Sequence, residues 1–191
     1  KGKVPTDLTC ETANRNVLGY AATSTEKAVL LRTALDDVHE LEILYGGLAA
    51  EEVVFGTSLV TAGSGDDIMR ATRIAGLMVT KRGQGSVHFH ADTIASECDW
   101  SIKSDDVQLD REVAGYLEAA HKNAVEMLKE YQHALVGLAH ELFTHGTLRE
   151  DEIKAYLTQE LGLELPAQAP TAFDQILLEQ HQALNLLRQV G

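Results

Sequence analysis

The sequence predicts a mainly α-helical fold, a helical bundle with a minor β element near the N-terminus. Alanine and leucine are abundant while aromatic residues make up only 5% of the chain, a composition that favours helices over a sandwich or barrel. Apolar residues recur at helical spacing over 35–49, over 68–79 and through 109–144. The clearest extended signals fall within the first 23 residues.

Residues 1–23 read as extended, with Asn14-Arg15-Asn16 as a turn and Val17-Leu18-Gly19-Tyr20 ending a strand. Residues 24–33 read as a loop. Thr33 is placed to cap a helix running to about Phe55, with Leu35, Val38, Leu41, Tyr45, Leu48 and Ala49 in helical register. Gly46 and Gly47 lie inside that helix, where each costs about 1 kcal/mol relative to alanine. With Ala49 and Ala50 they form a patch almost without side chains. Close approach of another helix is the preferred reading of that patch, ahead of direct contact with a ligand.

Residues 56–65 form a loop. The next helix spans about Asp66 to Arg82, with Ile68, Ala71, Thr72, Ala75, Met78 and Val79 on its buried face and Gly83 as its C′ residue. Ile74 and Leu77 make it apolar on a second side, which places it centrally. Residues 84–108 read as irregular, with a short strand at Val87-His88-Phe89. Leu109 to Thr144 is helical, with a break near Tyr131–His133 that no proline or glycine marks, and Gly146 ends it. Thr147-Leu148-Arg149-Glu150 reads as a capping box opening a short helix from Arg149 to Thr158. Pro166 and Pro170 punctuate a linker, and Thr171 opens a last amphipathic helix with Phe173, Ile176, Leu177, Leu184 and Leu187 on its apolar side.

A chain of 191 residues suits one domain, or one domain with an appendage: here residues 1–160, then a linker and helix over 161–191. A net charge of −13 without a basic stretch argues against nucleic acid as a partner. Two distant cysteines, Cys10 and Cys98, give no disulfide framework and fit a reducing compartment. No long apolar run of membrane-spanning length and no signal peptide are present. The chain starts at Lys1 rather than Met, and reads as a fragment.

The most informative stretch is Gly46 to Val79, two helical segments flanking a Gly/Ser/Thr loop, with Asp66-Asp67 where the second helix begins. A carboxylate in the first turn of a helix is stabilised in its ionised form by the dipole and the free N–H groups. Ionised is the form a metal requires. From these residues alone a plain N-terminal helix acid is the preferred reading of Asp67. Hydrolytic zinc sites take three protein ligands and leave one position for water. In HExxH proteases two histidines one helical turn apart bind the metal, and the glutamate between them is the general base.

No HExxH occurs in the chain. His140-Glu141-Leu142-Phe143-Thr144-His145 comes nearest, but its histidines are one residue too far apart. They point about 140° apart on a regular helix and read as surface or helix-end residues. Glu51 and Glu52 read either as acids behind a metal ligand or as a solvated helix edge. His88, His90, Asp92, Cys98 and Asp99 form a further polar cluster with no standard zinc spacing, and Cys98 has no basic neighbour to activate it.

Tyr45-Gly46-Gly47-Leu48-Ala49-Ala50-Glu51-Glu52, then Ser64-Gly65-Asp66-Asp67-Ile68, then Ala71-Thr72 resemble the ordered motifs of the FtsH family, the membrane-anchored ATP-dependent zinc proteases. Leu18-Gly19-Tyr20 and Thr147-Leu148-Arg149-Glu150-Asp151-Glu152-Ile153 fit that family's LGY and closing TL-x-x-DEI segments, so the resemblance covers residues 17–160. It implies hydrolysis of peptide bonds in unfolded or membrane proteins by a zinc-activated water, with Asp67 as the third zinc ligand. It also implies a homo- or hetero-hexameric, membrane-associated complex with this domain in an aqueous compartment.

Substrates would be delivered by an AAA+ ATPase module, separate or upstream. ATP would bind only there, because no GxxxxGK followed by Ser or Thr occurs here. The resemblance places the HExxH helix upstream of Leu18, so its catalytic glutamate and two histidines are absent from this chain. Leu48 stands where the family has arginine, Asp66 where it has asparagine, and the loop before Asp67 is slightly longer. The departures at Leu48 and Asp66, with the 161–191 extension, favour one alternative, a non-catalytic scaffold or assembly domain; the other alternative is a free-standing helical interaction module whose groove is filled by the last helix.

Overall fold

A mainly helical architecture with one small antiparallel sheet is what the computed structural model shows, over residues 5–11, 19–23, 32–86 and 107–162. The elements are β1 (Pro5–Thr9), β2 (Tyr20–Thr23), α1 (Ala34–Leu44), α2 (Gly46–Phe55), α3 (Gly65–Thr80), α4 (Val107–Glu130), α5 (Gln132–His145), β3 (Thr147–Arg149) and α6 (Glu150–Leu161). They fall into two compact units, Thr25–Glu141, and Lys1–Ser24 with Leu142–Gly191. The sequence's turn at 14–16, the strand at 87–89, the 88–99 polar cluster and the final helix after Pro170 lie outside the described residues.

In the 25–141 unit, α1, α2 and α3 all pack against α4, and α1 also packs against α3. The shared core holds Leu41, Leu44, Tyr45, Met78, Val79 and Val113 among five alanines, Ala49, Ala71, Ala75, Ala120 and Ala124. Alanine at the contacts lets helices approach closely, which is how so few aromatic residues suffice to close this core. Thr33 caps α1 as expected. Its backbone N donates to Asp36 Oδ2 at 2.8 Å, and Asp36 N donates back to Thr33 Oγ1 at 3.2 Å.

Those Thr33 hydrogen bonds hold the Asp36 carboxyl below its ordinary range. A depressed folded-state value means that the cap's contribution is fully present above the unfolded carboxylate value and is lost as pH falls from there through the lower folded-state value. The helical circular dichroism of Thr33→Ala is accordingly expected to respond less to acid than that of the parent chain. Equal acid titrations of the two would remove this role.

The single helix expected from Thr33 to Phe55 is two helices. Tyr45 breaks it with φ −79° and ψ −7°, and the following Gly46-Gly47 pair is the reason, because two glycines remove the local preference to continue. The close-approach reading of the glycines is also corrected. A Cβ at Gly46 or Gly47 would meet nothing within 4 Å, and it is Ala49 that is wholly buried. Gly47→Ala should therefore raise stability by about 0.5–1 kcal/mol, read from a denaturant midpoint. The break between α4 and α5 falls at Tyr131, inside the expected 131–133 interval.

In the other unit the sheet order is β2-β1-β3, antiparallel throughout, with Leu8 opposite both Ala21 and Leu148. Helix α6 contacts β1 and β3, burying Ile153 and Leu148. The two N-terminal strands bear out the minor β element, whereas β3 replaces the expected capping box. Thr147, Leu148 and Arg149 alternate exposed, buried and exposed as a strand, and Arg149 becomes the residue before α6, its N–H donating to Glu152 Oε2 at 2.8 Å. Gly146 turns the chain into β3 with φ +73°, and a Cβ there would collide with the Glu11 carboxylate.

Candidate metal centre

The approach to Asp67 is built from α2 outward. Glu51, in the middle of α2, accepts hydrogen bonds from Thr61 N at 2.5 Å and from Thr61 Oγ1 at 2.9 Å. Thr61 in turn accepts from Gly63 N at 3.2 Å and so caps the short 3-10 turn Ala62–Ser64. That turn runs directly into Gly65, the first residue of α3. The carboxylate of Glu51 therefore folds the Gly/Ser/Thr loop back onto α2 and fixes where α3 begins.

Asp66 and Asp67 occupy the first turn of α3. Asp66 is exposed. Asp67 is half-buried, and its Oδ1 lies 3.5 Å from Arg70 NH1, one turn on. Both side chains of that pair are substantially exposed, 46% and 55%, so the contact is a weak tether. Glu52, beside Glu51, faces α4 instead. Its Oε1 lies 3.1 Å from His121 Nε2, and the His121 ring lies 5.4 Å from that of Tyr45. Burial pushes the Tyr45 phenol above its ordinary value.

The two acids thus do different work. Glu51 holds the loop before Asp67, and Glu52 ties α2 to α4. His121 and Thr61 are the participants that sequence reading missed. Thr61 carried a signal, a capping residue two positions before a glycine, while nothing at a separation of 69 residues could announce His121–Glu52. His140 and His145 are both exposed residues of α5.

Among the described residues no three His, Cys, Asp or Glu side chains are grouped to hold a metal ion. Asp67 fits zinc as a carboxylate oxygen donor at a helix start, but it fits as one ligand of a set whose other members are not among these residues. No helix among the described residues is long and apolar enough to cross a membrane.

The fold and this site define a helical bundle domain carrying a carboxylate at the start of a central helix. Residues 13–156 match the model of Peptidase family M41, and the chain belongs to that family. Similar proteins include the ATP-dependent zinc metalloprotease FtsH of Mycobacterium tuberculosis (strain ATCC 25618 / H37Rv), 36% identical over 149 residues, which are 72% of this chain and 19% of that protein. The FtsH of Mycobacterium leprae (strain TN) is 37% identical over 150 residues, covering 71% of this chain and 18% of that protein. The ATP-dependent zinc metalloprotease YME1 homolog of Caenorhabditis elegans is 28% identical over 184 residues, covering 91% and 25%. The chain spans about a fifth of the length of the first of these relatives.

Proposed function

We propose that this chain is the peptidase portion of an ATP-dependent zinc metalloprotease, with Asp67 as one zinc ligand and an HExxH segment outside residues 1–191 supplying the two histidines and the general base. One observation carries the reading. In a member of family M41, Asp67, the acid that the motif resemblance implies as a ligand, stands in the first turn of α3, and the loop before it is pinned by Glu51. Bound zinc would supply a Lewis-acidic centre that lowers the pKa of water and polarises the scissile carbonyl.

This chain's own contribution is positional. Glu51 and Thr61 set the residue at which α3 starts, Asp67 stands in its first turn, and packing against α1 and α4 holds α3 in place. The peptidase part would occupy residues 1–160 and the appendage residues 161–191. Substrates would be unfolded or membrane polypeptides, delivered by an AAA+ module within a homo- or hetero-hexamer at a membrane, as the motif resemblance implies; the names of its relatives support the ATP dependence and the zinc.

A second reading, a non-catalytic scaffold with the same fold, is favoured by one observation. Leu48, at the position of the family's arginine, is partly buried against the hydrophobic core, so this chain uses that position for packing. Elemental mass spectrometry on the natural-length polypeptide separates the two. About one zinc per chain supports the enzyme. No zinc in a fully helical protein replaces it with the scaffold.

A further inference from the structure

We propose that Asp37 is a positioning residue for Asp67, setting the axial position of α3 from that helix's far end; this rests on the reading of Asp67 as a zinc ligand. Asp37 lies in the first turn of α1 and is wholly buried. A carboxylate in that setting is tolerated only with charged or hydrogen-bonding partners. It has three. Arg32 Nε donates at 2.8 Å, Arg82 NH1 at 2.7 Å and Gln84 Nε2 at 3.2 Å. The Gln84 amide is oriented by this contact, for its Oε1 is buried with no hydrogen-bond partner among the described residues. Turning the amide over would set oxygen against carboxylate.

Arg82 and Gln84 follow directly on the end of α3. The same turn is fastened to α4, where Tyr116 OH donates to Gln84 O and Ser86 N donates to Glu112 Oε2 at 3.0 Å. The exit of α3 is therefore bound to α1 through a buried charge and to α4 through the hydrogen bonds at Gln84 and Ser86. At its entrance, among the described residues, no buried charge is present: Ile68 packs on the core, the Glu51–Thr61 contacts are exposed, and Ser64 makes no side-chain cap.

Between the two ends α3 is unbroken for 16 residues, a rigid rod of about 24 Å. The buried residues in its middle are Ala71, Ala75 and Gly76, and the larger Met78 and Val79 come only near the exit. Small side chains make shallow ridges and resist sliding along the helix axis weakly. Glu51 and Thr61 set the residue at which α3 starts, and the stop that sets the helix's position along its own axis is at the Asp37 end.

The test uses the natural-length polypeptide, with Asp37→Asn, Arg82→Gln, Arg82→Lys and, as a core control in the same unit, Val113→Ala. Zinc affinity is measured by chelator competition, and amide hydrogen exchange is followed over residues 66–70. Asp37→Asn and Arg82→Gln should each weaken zinc about 10-fold, in line with loss of an outer positioning partner, and should speed exchange at 66–70. Arg82→Lys, which keeps the charge, should restore both readouts. Val113→Ala should lower thermal stability without either change. Equal effects of Val113→Ala and Asp37→Asn on zinc and on exchange would reduce Asp37 to a stabilising residue and overturn the proposal. If Asp37→Asn does not fold, Arg82→Gln decides, because it leaves the Arg32–Asp37 pair in place. A parent protein that binds no zinc overturns the ligand reading of Asp67, and the exchange data alone then decide whether Asp37 governs that turn.

Discussion

Asp67→Ala is expected to strip zinc from the natural-length polypeptide while leaving its fold nearly untouched. The structural share of Asp67 is small. Among the described residues its partner is Arg70 at 3.5 Å, in an exposed pair of a kind worth about 0–1 kcal/mol. Its place in the first turn of α3 contributes a similar amount through the helix dipole, about 0.3–1 kcal/mol. Loss of a ligand acts on a different scale. Even outer partners of metal ligands are worth about 10- to 100-fold in affinity, and a ligand itself is worth more. Zinc content and the unfolding midpoint, measured on the same preparation, should therefore separate cleanly. Asp66→Ala serves as the comparison, removing an exposed neighbouring charge without removing the proposed ligand. Zinc retained in Asp67→Ala at the parent's affinity would refute the assignment.

The largest loss of stability is expected at Met78→Ala. Met78 is wholly buried on α3, and the surrounding core is rich in alanine. Deleting a buried methionine side chain costs about 2–5 kcal/mol, the upper part of that range applying where the surroundings cannot collapse into the cavity. Helices already in contact through Ala71, Ala75, Ala120 and Ala124 have little side chain left to rearrange. Denaturant unfolding should show the loss as a shifted midpoint with an unchanged slope. A loss below about 1 kcal/mol would mean that α3 is not packed as described.

Helix periodicity made most of the 25–141 unit legible. The α3 residues Ala71, Ala75, Met78 and Val79 were placed on the buried face by spacing alone, and all four are buried. The helix break at Tyr45 was carried by the Gly46-Gly47 pair and was still missed, because the apolar register continues across it from Leu41 to Ala49. Strand β3 was missed for a different reason. Three residues carry too little alternation to outweigh a nearby capping pattern, and what makes them a strand is β1, which pairs Leu8 with the far-distant Leu148.

The sequence by itself determined the helical class, the cap at Thr33, the acid in the first turn of α3 and the family motifs that carry Asp67. All of these depend on residues within a turn or two of one another, where spacing and chemistry are written directly in the chain. Only the tertiary structure decided that Glu51 holds Thr61 while Glu52 holds His121, that Ala49 rather than the glycines lies in the core, and that Asp37 joins the start of α1 to the end of α3. A hydrogen-bonding side chain shows in the sequence only what it can bind. Which partner satisfies it depends on which helices pack together, and that is settled by the burial of the whole apolar surface at once.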